Sequence, residues 1–178
     1  MPRLIRSVIF LYLILCLSTP LWASRGIQIK TKQGQAVGTY KGSYALLIGV
    51  SDYTAGWPDL EQIPSELDLV EKVLKAQGFE VKKTINPDAD ELEEVIEDFI
   101  DLYGYAKDNR LLFYYAGHGH TMNGGRRGYL VPADAPDPRN DPVGFKRKAL
   151  DMNLILAWCR QMDAKHALFL FDSCFSGT

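Results

Sequence analysis

The chain has 178 residues, of which 47% are hydrophobic and 24% charged, and its formal net charge is -2. This balance argues against disordered and collagen-like classes and against a polybasic protein that binds nucleic acid. One compact globular domain is expected at this length.

The N-terminal segment differs in composition from the rest of the chain. It contains Arg3 and Arg6, no acidic residue, and an apolar run from Val8 to Leu17 that is followed by Ser18, Thr19, Pro20 and Ala23. This order is typical of an export signal, and the run is too short for the roughly 20 residues that cross a bilayer. We therefore predict a signal peptide over residues 1–23, without a stable membrane anchor, and a periplasmic or extracellular location.

After residue 23, the sequence predicts a short N-terminal segment followed by one α/β domain. Residues 24–42 are polar and contain glycines, so we expect a linker or an edge hairpin there, with the domain over 43–178. Strands are predicted at 44–50, 79–85, 110–115, 129–131 and 167–171, and helices at 65–78, 90–104 and 151–162. Continuous apolar strands that alternate with helices indicate a mostly parallel sheet in a three-layer sandwich.

Two predicted strands end in residues with catalytic chemistry. The strand at 110–115 runs into Ala116-Gly117-His118-Gly119-His120, and the last strand runs into Asp172-Ser173-Cys174. Functional sites of open parallel sheets collect at the carboxyl ends of strands, so His118 can face Cys174 if the strands are neighbours. An imidazole takes the thiol proton and stabilises the nucleophilic thiolate. The pair predicts a Cys-His dyad, although either residue alone is more often an inert core cysteine or a turn histidine.

Both segments resemble the histidine and cysteine boxes of the caspase-like cysteine peptidases, in the metacaspase-type and bacterial caspase-like branch. The likeness rests on residues 114–119 (YYAGHG) and 172–177 (DSCFSG), with support from 45–50 (ALLIGV), Tyr53 and 128–134 (GYLVPAD), and it covers about residues 43–178. It implies the caspase-hemoglobinase fold and a cysteine endopeptidase. By this resemblance Cys174 attacks the scissile carbonyl, His118 protonates the leaving amine, and the N–H groups of Gly119 and Cys174 form the oxyanion hole.

The resemblance also implies a substrate preference. Asp172 matches a pocket acid that selects a substrate Arg or Lys, and a carboxylate binds a guanidinium through charge-assisted hydrogen bonds. Asp68 matches a second pocket acid, but it also has the spacing of a capping-box partner for Ser65. Ala116 stands where a pocket-lining serine is frequent in the family. The expected partner is a protein or peptide substrate with a basic P1 residue.

Metal binding is a weaker alternative. Several metacaspases need calcium, and oxygen ligands are present at Asp134, Asp137, Asp141 and Asp151. These acids are scattered among prolines, which favours a solvated acidic loop, and His120 has no acid beside it that would complete a metal site. We therefore predict no metal site and no cofactor, with calcium activation kept as an alternative.

Two further expectations concern the whole protein. The family continues well beyond the catalytic cysteine, so we expect the C-terminal part of the domain to be missing from this chain. Besides the peptidase, the sequence leaves open a catalytically inactive caspase-like binding or scaffold module of a larger exported protein. A third alternative is another thiol hydrolase or transferase on a similar sheet.

Overall fold

The computed structural model describes residues 27–175, so the signal peptide predicted at 1–23 lies outside the described residues. None of the helices in this range is long and apolar enough to cross a bilayer. The strands are β1 (Ile27–Lys30), β2 (Ala36–Tyr40), β3 (Gly42–Gly49), β4 (Glu80–Ile85), β5 (Asn109–Ala116), β6 (Gly119–Met122), β7 (Arg127–Leu130), β8 (Leu150–Asp151) and β9 (His166–Asp172). The helices are α1 (Ile63–Ala76), α2 (Ala89–Tyr103), α3 (Pro142–Lys148) and α4 (Met152–Cys159).

A parallel sheet with strand order β4-β3-β5-β9 forms the centre of the fold. The apolar run of β3 is buried on both faces, because Ala45 and Leu47 belong to the cluster under α1 while Leu46 and Ile48 belong to the cluster that includes α2 and α4. Helices therefore cover both faces of the sheet. The α/β three-layer architecture predicted from the alternating pattern is confirmed.

A second, antiparallel sheet of β6, β7 and β8 follows β5. Its middle strand, β7, overlaps the short strand predicted at 129–131 but ends at Leu130. Residues 27–40 form a separate two-stranded antiparallel hairpin rather than an edge of the central sheet.

Three local expectations need correction. Helix α1 begins at Ile63, and the Ser65 hydroxyl donates to the Gln62 carbonyl at 2.8 Å, so no capping box forms between Ser65 and Asp68. The helix predicted at 151–162 ends earlier, at Cys159. Helix α3 is not among the predicted elements, which leave residues 142–148 without an assignment; Asp141 caps it by accepting the Gly144 N–H at 2.8 Å.

Candidate active site

The carboxyl ends of β5 and β9 lie side by side. Ala116 is in register with Asp172, and beyond the strands Gly119 forms a bridge with Phe175. His118 and Cys174 lie in the chain between these paired residues, and both line one open pocket of about 670 Å³. The structure thus brings together the two residues that the strand ends predicted.

One hydrogen bond determines which ring nitrogen of His118 carries the proton in the neutral imidazole. Its Nε2 lies 2.8 Å from the carbonyl oxygen of Pro58. A carbonyl can only accept, so Nε2 carries the proton and donates it. In the neutral ring the other nitrogen, Nδ1, is then unprotonated and can act as a base. The ring packs against Tyr53 and Trp57, with centroid distances of 4.8 and 5.1 Å.

Two buried tyrosines fix the backbone of His118. The Tyr53 hydroxyl accepts the His118 N–H at 2.7 Å, and the Tyr115 hydroxyl donates to the carbonyl oxygens of Val131 at 2.8 Å and His118 at 3.1 Å. Burial raises the pKa of Tyr53 to about 12, so its hydroxyl stays neutral at physiological pH. A Cβ at Gly117 would lie 2.7 Å from the Tyr115 hydroxyl, which explains why the residue before His118 is glycine.

The nucleophile candidate is accessible. Cys174 is exposed and free, and so is available to a substrate in the pocket. The other described cysteine, Cys159, is also free, but it is half-buried on α4 and burial raises the pKa of its thiol. Reactivity of a thiol depends on its thiolate character and its access to solvent, so the environment of Cys159 makes its thiol the less reactive of the two. Close packing also limits Gly119, because a Cβ there would lie 3.0 Å from the Phe175 ring.

The pocket has an acidic lining. Four of its lining residues are acidic and none is lysine or arginine; the acids are Asp59, Glu61, Glu66 and Asp172. Within residues 27–175 none of the four forms an ion pair. The Tyr114 hydroxyl donates to Asp172 at 3.0 Å, and burial together with this carboxylate raises the pKa of Tyr114 to about 12. Unpaired carboxylates of one sign in a cleft create a field that attracts cations.

A family model described as a caspase domain matches residues 43–178. The chain belongs to the caspase-domain family of cysteine peptidases. This membership confirms the resemblance to the caspase-like family, without assigning the chain to a branch of it, and agrees with the α/β fold. A search of curated protein sequences gave no match.

The structure separates the acids that the sequence proposed for the pocket of this caspase-domain chain. Asp172 and Ala116 line it, whereas Asp68 does not. The Asp68 carboxylate accepts from Lys83 Nζ at 2.6 Å on the outer side of α1. Glu66, in the first turn of α1, lines the pocket instead.

Sequence reasoning missed three of the pocket acids. Asp59 and Glu61 follow β3, and Glu66 follows them at the start of α1. The strand-end rule that found His118 and Cys174 applies to β3 as well, and it could have identified this acidic segment. Asp59 also contacts Tyr53, the residue whose hydroxyl binds the His118 N–H, because the Asp59 carboxylate accepts the Tyr53 N–H at 2.8 Å.

The acids considered as calcium ligands are engaged elsewhere. Asp134 pairs with Lys148, Asp137 pairs with Arg139, Asp141 caps α3, and Asp151 accepts the Asn153 N–H at the start of α4. In the part of the chain that the structure describes, no three His, Cys, Asp or Glu side chains come together as a metal-binding group. His120 packs against Phe145, with a centroid distance of 5.3 Å.

Proposed function

We propose that this caspase-domain protein is a cysteine endopeptidase that cleaves after Arg or Lys with a Cys174-His118 dyad. The observation that carries the proposal is the juxtaposition of Cys174 and His118 with four unpaired carboxylates in one pocket. A basic P1 side chain placed among those carboxylates brings its own carbonyl next to the thiol.

The reaction follows from the protonation of His118. Nδ1 takes the Cys174 proton, and the thiolate attacks the scissile carbonyl carbon, so that a C–S bond forms and the C=O π electrons move to the oxygen. When the tetrahedral intermediate collapses, the C–N bond breaks and Nδ1 returns the proton to the leaving amine. Water then hydrolyses the thioester by the same route, with Nδ1 as the base.

Backbone groups near the nucleophile complete the proposed machinery. The N–H groups of Gly119 and Cys174 would donate to the oxyanion, and removing one such donor typically costs about 3 kcal/mol of transition-state stabilisation. A Cβ at position 119 would overlap the Ser173 hydroxyl and lie 3.0 Å from the Phe175 ring, which leaves no room for a side chain there.

Charge decides the P1 preference. A guanidinium or ammonium gains charge-assisted hydrogen bonds from Asp172 and attraction from Asp59, Glu61 and Glu66, whereas an acidic P1 side chain would be repelled by all four. Further parts of the proposal are that the protein acts after export, in the periplasm or outside the cell, and that calcium is not required. The second part is supported by the ion pairs and helix caps that occupy Asp134, Asp137, Asp141 and Asp151.

The first experiment tests Cys174-dependent cleavage by the full chain. Fluorogenic peptides that differ only in a P1 Arg, Lys or Asp are incubated with wild-type protein, with Cys174→Ala and with Cys159→Ala as the matched cysteine control, each with calcium and with EDTA. We expect cleavage after Arg and Lys only, loss of more than a thousandfold in Cys174→Ala, activity within twofold of wild type in Cys159→Ala, and no effect of EDTA. Folded protein that cleaves none of the peptides would favour an inactive binding module.

A further inference from the structure

A second open pocket, of about 910 Å³, adjoins the acidic pocket. The two share Trp57 and His118, so they adjoin at these two side chains. The second pocket continues to Phe175 and to the β6–β7 turn, and Cys174 does not line it.

If the proposed function holds, the chemistry of cleavage determines which part of the substrate this pocket binds. The leaving amine takes its proton from His118, so the residue after the scissile bond must lie on the histidine side of the nucleophile. A pocket lined by His118 but not by Cys174 meets that condition. We propose that the second pocket is the leaving-group subsite and that it binds a large uncharged side chain immediately after the scissile bond.

The lining explains the choice of an uncharged side chain. Among the described residues of the lining, the acid Asp137 and the base Arg139 pair with each other. Asp137 is 3% exposed, and both of its carboxylate oxygens accept from Arg139 Nε, at 3.0 and 2.9 Å. Burial lowers the pKa of His120, which keeps the imidazole neutral near pH 7. A charged side chain would therefore meet two lining charges that already neutralise each other.

The shape of the lining explains the choice of a large side chain. Trp57 and Phe175 present aromatic rings to the pocket. The turn at Gly124 and Gly125, with φ of 65° and 82°, brings backbone without side chains to the same pocket. An aromatic or long aliphatic residue gains apolar contact here, and the two glycines leave it the room.

The test uses internally quenched peptides of one sequence, with Arg before the scissile bond and Phe, Leu, Gly, Lys or Asp after it. For the wild-type full chain, kcat/KM is expected to be about tenfold higher for Phe and Leu than for Gly, Lys and Asp. Equal rates across the series, or a preference for Lys or Asp, would overturn the inference while leaving the peptidase itself established. Absence of Cys174-dependent cleavage of every peptide would instead overturn the proposed function and this subsite with it.

A variant locates the preference in this pocket. Thr121 lines the pocket from β6, and Thr121→Phe would place a ring in the space that the substrate side chain needs. The ratio of kcat/KM for the Phe peptide to that for the Gly peptide is expected to fall from about ten to near one. An unchanged ratio in a variant that still cleaves would show that the preference arises elsewhere and would overturn the assignment of the pocket.

Discussion

Each end of the central sheet places a tyrosine hydroxyl against a histidine, and the two contacts are made differently. At the amino end, the Tyr40 hydroxyl lies 2.8 Å from the ring nitrogen Nδ1 of His166. At the carboxyl end, the Tyr53 hydroxyl accepts the backbone N–H of His118 at 2.7 Å. The first contact occupies a ring nitrogen that could exchange protons, whereas the second holds the residue in place and leaves Nδ1 available.

The charges at the two ends differ in the same way. At the amino end Lys41 pairs with Asp108 at 2.8 Å, and the Arg110 guanidinium donates to Ser43 at 2.8 Å and lies over the Phe79 ring. At the carboxyl end the four pocket carboxylates have no cationic partner among the described residues. Similar residue types are therefore ion-paired at one end and without an ionic partner among the described residues at the other. What distinguishes the site is unpaired charge.

Among the changes that compare the two ends of the sheet, the largest expected effect tests the unpaired charge. Asp172→Asn keeps the shape of the side chain and an acceptor for Tyr114, but it removes the charge that would meet a substrate Arg. Because a hydrogen bond to a charged group contributes about 1.5–3 kcal/mol, we expect kcat/KM for Arg peptides to fall about 100-fold. The matched change at the other end, Asp108→Asn, is expected to leave kcat/KM within twofold. Equal losses in the two variants, measured on the same peptide, would contradict the comparison.

A smaller loss of activity is expected when the Tyr53 hydroxyl is removed, with removal of the Tyr40 hydroxyl as the comparison. Tyr53→Phe leaves the buried His118 N–H without a partner, which costs about 1–3 kcal/mol and lets the imidazole shift. We expect kcat to fall about tenfold with KM nearly unchanged. Tyr40→Phe removes a hydroxyl that is similarly buried and also bonded to a histidine, so it is the matched control.

The split between kcat and KM separates positioning from general destabilisation. Tyr40→Phe is expected to lower Tm by a few degrees without changing kcat. If Tyr53→Phe lowers Tm by the same amount and leaves kcat intact, the hydroxyl has no positioning role. Both variants are therefore compared by steady-state kinetics and by thermal unfolding on the same preparations.

Much of this arrangement could be predicted from the sequence, because the periodicity of buried strands fixes the topology and the topology fixes which residues share a strand end. His118 and Cys174 are predicted in this way, whereas Asp172 and Ala116 are assigned to the pocket by the family resemblance; all four line one pocket. Helix α3 was missed because its short sequence, with an Asp-Pro start and an interior glycine, has the composition of a loop.

The choice of pocket acid on α1 could not be made from spacing alone. The family resemblance points to Asp68. A helix turns about 100° per residue, so Glu66 and Asp68 point in very different directions, and only one of them can face the sheet end. Deciding which one requires the position of α1 against β3 and β4, a tertiary property set by Leu67 and Leu74 in the core.

The smallest effects discriminate between these two acids. Glu66→Gln removes an unpaired, solvent-screened charge from the pocket wall and is expected to lower kcat/KM for Arg peptides about fivefold. This is less than for Asp172→Asn, because the Tyr114 hydroxyl holds the Asp172 carboxylate in position. Asp68→Asn breaks an exposed pair with Lys83, whose contribution to stability is at most about 1 kcal/mol, and should leave kcat/KM within twofold. Both are compared on the Arg peptide at low and at high salt, since added salt should shrink only the Glu66 effect. A larger loss of kcat/KM from Asp68→Asn than from Glu66→Gln would mean that a carboxylate already paired with lysine selects the substrate. The distinction between paired and unpaired charge would then not hold at this end of the sheet.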